Sequence, residues 1–282
     1  MGAGQEGALQ REYRFDDADF ERVRALVRAQ IGVALADSKR ELVYGRLSRR
    51  LRALQLRDFD SYLSLIEAGD TEELQHFCNA ITTNLTAFFR ERHHFDFLGH
   101  QLLPQLARRN AASRRIRIWS AGCSTGEEPY SIAMVLLETL GHLRGWDIRI
   151  LATDVDSQVL LLAERGMYQG ERLEKMEPDR ILRWFERASD AEAYQVAPEL
   201  KHLISFRQLN LIGVWPMSGP FDVILCRNVL IYFNRDTQRE IVGRMAELQR
   251  PDDHLIVGHS ESLLSVSTRY RLVGRTIHRL VR

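Results

Sequence analysis

The sequence has only three cysteines, Cys78, Cys123 and Cys226, far apart and with no Cys-x-x-Cys spacing. That excludes a cysteine zinc site and a disulfide framework, and the three read as free thiols in a reducing compartment. No apolar run approaches the roughly 18–20 residues needed to span a bilayer, so no membrane insertion is expected. A basic start followed by an apolar stretch is missing from the N-terminus, so no signal peptide is expected either. Together these absences lead to the expectation of a cytoplasmic protein. Neither sign of charge dominates: 39 Lys+Arg against 38 Asp+Glu leave +1, which argues against a generally nucleic-acid-binding chain. Repeats and low-complexity tracts are missing as well. His93 and His94 are adjacent on a predicted helix and are expected to point apart, and His76 and His100 add no ligand spacing, so no metal site is expected. Ser131, His259 and Asp154 could be imagined as a triad, but the Gly-x-Ser-x-Gly nucleophile elbow is absent, which weighs against a hydrolase.

What is present is an ordinary soluble composition, 45% hydrophobic and 27% charged, enough for one large or two modest domains. Residues 1–14 read as a disordered lead. Residues 15–83 read as a helical domain with short loops. Phe20, Val23 and Val27 repeat at helical spacing and Gly32 follows as a stop. Ser38-Lys39-Arg40-Glu41 reads as a capping box opening a helix with Val43, Leu47, Leu51 and Leu54 on one face. Asp60 and Thr71 are the expected caps of two further helices, the second carrying Leu74, Phe77, Cys78 and Ile81. Residues 84–112 form a link and a helix. From residue 113 to the end the grammar alternates, with strands expected at 115–120, 147–153, 202–207, 221–226 and 254–258. Helices are expected near 129–140, 157–164 and 236–248. That is an α/β doubly wound sheet, with an antiparallel edge hairpin around Val273-Gly274-Arg275. Residues 167–201 are too long for a connection and read as an insertion, with a short helix at 178–187 and extra structure around Tyr194-Gln195-Val196.

The stretch from Arg117 to Ser131 is a strand, a turn through Gly122 and Gly126, and a helix, the first unit of an open α/β nucleotide site. The turn carries Glu127 and Glu128 and no lysine. A helix N-terminus ordinarily attracts phosphate; two glutamates there suit a ligand with a positive end. The second strand closes at Asp154, placed to bind ribose hydroxyls, while Asp156 fits better as the cap of the next helix. A buried strand from Phe221 ends at Arg227-Asn228, where such sheets bind ligands, and a buried Arg227 is costly unless something pairs with it. In the helical domain Arg46, Arg49, Arg50, Arg52 and Arg57 lie opposite the leucines with no acid between Arg46 and Arg57. A solvated helix face and a dock for an acidic partner weigh equally for them, and nucleic acid is disfavoured because no aromatics interleave.

Four ordered motifs add up to a resemblance. They are Asn84-Leu85-Thr86-Ala87-Phe88-Phe89-Arg90-Glu91, Ser124-Thr125-Gly126-Glu127-Glu128-Pro129-Tyr130-Ser131, Cys226-Arg227-Asn228-Val229-Leu230-Ile231-Tyr232-Phe233 and Gly258-His259-Ser260-Glu261. From about residue 15 to the end the chain closely resembles the bacterial chemoreceptor glutamate methyltransferases, the CheR family. The resemblance implies a class I S-adenosylmethionine-dependent methyltransferase, a Rossmann-like fold, with an N-terminal helical domain and a small inserted β-subdomain. It implies cofactor contacts from Asn84, Thr86, Arg90, Glu128, Asp154, Asn210, Leu211, Asn228 and Val229, and release of S-adenosylhomocysteine. Arg90 and Tyr232 would face the transferring methyl group and the substrate carboxylate, and Arg227 is grouped with them as catalytic. The turn departs from the common methyltransferase Gly-x-Gly-x-Gly, as the family does. Arg227-Asn228-Val229-Leu230 stands where amine-methylating enzymes carry an Asn/Asp-Pro-Pro-aromatic motif. The family docks on methyl-accepting chemoreceptors through its basic helix, which implicates Arg46, Arg49, Arg50 and Arg52. Members that grip a receptor pentapeptide carry a glycine-rich loop in the subdomain. The matching stretch, 186–193, has none, so pentapeptide-independent action by a monomer is expected. A carboxyl methyltransferase acting on another protein, and a non-catalytic module sensing the cofactor or its product, are the competing readings.

Overall fold

The computed structural model describes residues 11–188 and 192–281. The chain divides into two compact units, one through Thr82 and one from Thr83. The first contains α1 (Asp17–Ile31), α2 (Arg40–Ala53), α3 (Phe59–Glu67) and α4 (Thr71–Ile81). Phe20, Val23, Val27, Val43, Leu47, Leu51, Phe59, Leu63 and Phe77 are buried, as their helical spacing requires. Gly32 ends α1 in the left-handed conformation at φ 72° and donates its N–H to the Arg28 carbonyl. Leu54 falls one residue past α2, leaves the apolar stripe and is 37% exposed.

Several caps differ from expectation. A capping box does form, but at Asp16 and Asp19 ahead of α1. Ser38 instead lies inside a 3-10 turn (Asp37–Lys39), and no side chain caps α2. Glu41 pairs with Arg11 instead. Asp58 and Asp70, not Asp60 and Thr71, accept the free N–H groups that open α3 and α4. Of the expected disordered lead, residues 1–10 lie outside the described residues. Tyr13 is placed, its backbone N–H on the Tyr44 hydroxyl at 3.3 Å and its ring edge-on to Phe59.

The second unit opens with α5 (His93–Phe97), a π-helical stretch (Leu98–Leu102) and α6 (Leu103–Arg109). Then come β1 (Arg115–Ala121), α7 (Glu127–Leu140), β2 (Asp147–Asp154), α8 (Ser157–Arg165), β3 (Met167–Gln169), α9 (Pro178–Trp184), β4 (Phe185–Arg187), β5 (Ala193–Val196) and α10 (Pro198–Lys201). They are followed by β6 (Ile204–Gln208), β7 (Val223–Cys226), α11 (Arg235–Glu247), β8 (His254–Val257), β9 (Tyr270–Gly274) and β10 (Ile277–Leu280). Seven strands form one sheet in the order β6-β2-β1-β7-β8-β10-β9. The first five are parallel and β10 and β9 close the edge antiparallel. Parallel strands buried on both faces read as continuous apolar runs. Ile116, Ile118, Val223 and Leu225 face a core shared with α6 and α7. Trp119, Ile224, Cys226 and Leu255 face a second core with Ile241, Val242 and Met245 of α11. The link and helix 84–112 belong to this unit, since Phe88, Phe95, Leu98 and Leu106 lie in the first core.

The insertion is a three-stranded antiparallel sheet, β3-β5-β4. The order of the main sheet reverses between β1 and β7. In an open α/β sheet that is where a crevice opens beyond the carboxyl ends of the strands. Among the described residues no helix is long and apolar enough to cross a membrane.

Candidate active site at the carboxyl ends of the sheet

The turn after β1 is shaped by what its glycines lack. Gly122 (φ 83°) and Cys123 both donate their N–H groups to the Thr153 carbonyl, tying the turn to β2. A Cβ at Gly122 would fall 2.3 Å from Val229 Cγ2, so the backbone lies directly against the segment after β7. Gly126 (φ 97°) opens α7, and a Cβ there would meet the Tyr168 hydroxyl at 2.8 Å. Between them Ser124 donates its N–H to Asp154 Oδ2 at 2.8 Å.

α7 begins at Glu127, two residues before the expected Pro129, so both glutamates lie in its first turn, where the helix dipole favours negative charge. They point inward, 0% and 9% exposed. Glu128 accepts from Ser120 Oγ (2.7 Å) and from Arg227 Nη1 (2.8 Å). Glu127 accepts from Thr125 Oγ1 (2.6 Å) and Arg172 Nη1 (3.2 Å). Burial pushes both carboxyls up from their ordinary range against these partners. Each glutamate is thus paired with an arginine within the protein as well as facing the turn. Among the described residues Asp154 has no basic side chain against it. It accepts from backbone N–H groups of Ser124, Asp156 and Val155, and burial holds its carboxyl up at about 6. Asp154 is therefore engaged, yet its oxygens keep lone pairs for a ribose. Asp156 caps α8 through Gln158 and Val159 and accepts from Asn84 Nδ2 at 2.8 Å.

The remaining candidates gather around these strand ends. The Asn84 carbonyl accepts from Ser124 Oγ, and the Leu209 N–H donates to the Asp154 carbonyl, bringing Asn210 and Leu211 beside β2. Arg90 Nη1 donates to the Leu85 carbonyl at 2.7 Å, folding the link into a loop between left-handed Phe89 and Glu91. Tyr232, on a 3-10 turn (Leu230–Tyr232), is half-buried and its phenol makes no hydrogen bond among the described residues. Arg227 stands apart from its expected catalytic role. It is 6% exposed. Its guanidinium holds Glu128, donates to the Arg90 carbonyl and lies over the Phe95 ring. These contacts let Arg227 position Glu128 and the link, while its Nε has no hydrogen-bond partner among the described residues.

Two carboxylates without a role in the sequence reading hold the site together. Glu261 accepts from the N–H groups of Asn228, Val229, Ile231 and Gly258, fixing the loop that contains left-handed Asn228. Glu91 accepts from His259 Nδ1 (2.9 Å) and Asn228 Nδ2 (3.3 Å). Burial opposes its charge, but His259, Arg227 and Asn228 hold the carboxyl down at about 2. Both belong to quoted motifs, and for Glu261 its place just after a buried strand was the available signal. His93 and His94 do not point apart, since their rings lie 4.0 Å centroid to centroid. The His94 ring is fixed by Thr276 and buried, and burial with Arg227 nearby lowers its pKa to about 3. Glu91, His93 and His94 bring ligand atoms within 4.8 Å of one another, but Arg227 Nη2 stands 3.6 Å from Glu91 Oε2, and its charge opposes a cation there.

In the helical unit the basic face divides. Arg46 donates to the Ala80, Ile81 and Thr82 carbonyls at the end of α4. Arg50 grips the buried Glu73 with two bonds, and the Tyr62 hydroxyl joins them. Arg49 is exposed, and the exposed Arg52 pairs with Glu12. Arg46 and Arg50, both partly exposed, thus also serve the packing of the helical unit itself.

Residues 84–278 match a family model described as CheR methyltransferase, SAM binding domain. Residues 18–82 match one described as CheR methyltransferase, all-alpha domain. A chemotaxis protein methyltransferase of Escherichia coli (strain K12) is 45% identical over 269 residues, 94% of this chain and 91% of that one. Chemotaxis protein methyltransferase 2 of Pseudomonas aeruginosa is 45% identical, covering 95% of this chain and 94% of its own. A chemotaxis protein methyltransferase of Borreliella burgdorferi is 36% identical over 87% of this chain and 88% of its own.

Proposed function

The chain belongs to the CheR methyltransferase family, and from that premise we propose that it methylates glutamate side chains on the cytoplasmic domains of methyl-accepting chemoreceptors. It is an S-adenosylmethionine-dependent methyltransferase, and its donor set fits that cofactor: Asp154 offers carboxylate lone pairs at the end of β2 with no competing cation. When bound, the cofactor supplies an electrophilic methyl group on a sulfonium. Asn84, Thr86, Arg90, Glu128, Asp154, Asn210, Leu211, Asn228 and Val229 would hold it. Glu128 serves there through the lone pairs that Ser120 and Arg227 leave open.

The observation that carries the acceptor assignment is that Arg90 and Tyr232 keep unused donors beside a loop whose own cation, Arg227, is paired with Glu128. A glutamate has a reference pKa of about 4.3 and is already ionised at neutral pH, so no general base is needed. Arg90 orients the carboxylate, Tyr232 donates a hydrogen bond to it, and exclusion of water helps two opposite charges cancel. The buried, neutral His94 and the His259 ring held on Glu91 are left out of proton transfer. Arg49 and Arg52 are the docking residues for the receptor. The glycine-free stretch 186–193 supports action without a pentapeptide tether, although residues 189–191 of it lie outside the described residues. The protein acts in the cytoplasm as a monomer and without nucleic acid.

The test is incubation with labelled cofactor and receptor cytoplasmic fragments, with and without the receptor C-terminal tail. Base-labile label on glutamates, equal for both fragments, is the expected result. Base-stable label, or none, would sink the acceptor assignment, and loss of label with the tail would sink pentapeptide independence.

A further inference from the structure

We propose that the inserted β-subdomain braces the cofactor site, with Tyr168 and Arg172 as positioning residues. The inference rests on the cofactor placement just given. Tyr168 lies in β3, opposite Tyr194 of β5. It is 6% exposed and donates its hydroxyl to the Thr125 carbonyl at 2.7 Å, inside the cofactor turn. That same hydroxyl is what a side chain at Gly126 would strike at 2.8 Å, so turn and tyrosine are shaped to each other. Arg172, at the end of a 3-10 turn (Gly170–Arg172), donates from Nη1 to Glu127 Oε1 (3.2 Å) and to the Thr86 carbonyl (3.4 Å). One guanidinium therefore ties the start of α7 to the link that carries Asn84, Thr86 and Arg90. Phe88 of that link lies edge-on to both Tyr168 (4.9 Å) and Phe185 of β4 (5.5 Å).

Both cofactor-bearing segments are thus held by the insertion and not only by the main sheet. The turn needs such support, because Gly122, Ser124 and Gly126 all have positive φ, and glycines carry the largest conformational entropy to be lost on ordering. A brace works in both directions: what steadies the turn for the cofactor is itself steadied when the cofactor binds. This gives the subdomain a task that needs no receptor tether.

The experiment uses the full chain and S-adenosylhomocysteine. Tyr168→Phe and Arg172→Gln should each weaken its binding by calorimetry about five- to tenfold, one hydrogen bond's worth. Saturating cofactor should restore more of the methyl-transfer rate in Tyr168→Phe, whose lost bond is to the cofactor turn, than in Arg172→Gln, whose lost bonds also free the link that carries Arg90. Arg172→Lys, which keeps a donor, should recover part of the affinity. In the native chain the ligand should slow amide exchange in β3 and β5, and this protection should vanish in Arg172→Gln. Native affinity in both variants, with exchange in the small sheet indifferent to ligand, would overturn the proposal. If Tyr168→Phe does not fold, the half-exposed Arg172 and the native exchange experiment decide. Asp154→Ala separates the two levels. Undiminished affinity there removes the cofactor placement itself; lost affinity there, with the brace variants unaffected, removes only the brace.

Discussion

Replacing Arg227 by methionine keeps much of its apolar stem and deletes the guanidinium. Four contacts go with it: the 2.8 Å bond to Glu128, the bond to the Arg90 carbonyl, the 3.6 Å approach to Glu91 and the stacking over the Phe95 ring. Glu128, 9% exposed, then has only Ser120 Oγ as partner. Breaking a buried pair by removing one member costs about 3–5 kcal/mol, because it strands an uncompensated charge. For a unit of this size each kcal/mol lowers Tm by roughly 2–4 °C, so a fall on the order of 6–20 °C is expected. The loss should grow with pH. Burial already raises the Glu128 carboxyl above its unfolded value. Such a group contributes stability that is fully present below the unfolded pKa and lost as pH rises through the folded one. Without Arg227 the folded value rises further and the penalty of ionisation is larger at neutral pH. Calorimetric unfolding of Arg227→Met, Glu128→Gln and the double variant measures this. The double variant should recover most of the loss, since the pair acts as a unit. An Arg227→Met protein that melts like the native chain yet no longer transfers methyl groups would refute the reasoning and return Arg227 to the substrate.

Three further outcomes are expected. S-adenosylhomocysteine should bind about tenfold more weakly at pH 5 than at pH 7, because Asp154 titrates near 6 and its ionised form is the stronger acceptor; Asp154→Asn should flatten the profile, and a flat native profile would remove the ribose assignment. Arg49→Glu with Arg52→Glu should slow receptor methylation with cofactor affinity unchanged, whereas Arg50→Glu should cost about 3 kcal/mol of stability by stranding Glu73, which is 4% exposed; equal Tm values for the two proteins would contradict the division of the basic face. Tyr232→Phe should lower kcat about tenfold, one aligned hydrogen bond, without changing cofactor affinity; a purely binding defect would move Tyr232 to the cofactor.

Much of the fold was legible because it depends on periodicity. Buried strands such as β1 and β7 read as apolar runs, and helices such as α1 show their stripes within a few residues of the observed ends. Caps were less legible: Ser38 and Glu41 have capping-box chemistry, but Arg11 takes the glutamate. The loop ends with Asp154 and Asn228 could be named because strand order and the location of ligand crevices are linked, whereas Asn84 and Asn210 came through the family resemblance. Their partners could not. Glu261, Glu91, Tyr168 and Arg172 act through contacts across 30 to more than 160 residues of chain, and no local pattern encodes such a contact.

The sequence by itself determined the alternating sheet with its antiparallel edge, the helical N-terminal unit, the insertion, and the family through four short motifs. These follow from side-chain period, turn chemistry and local order, all properties of neighbouring residues. Only the tertiary structure decided where the charges go. Glu128 is answered by Arg227, Glu127 by Arg172, Glu73 by Arg50, and Asp154 by backbone N–H groups. A buried charge is tolerated or costly according to what stands within a few ångströms of it. That distance is set by folding and not by spacing along the chain.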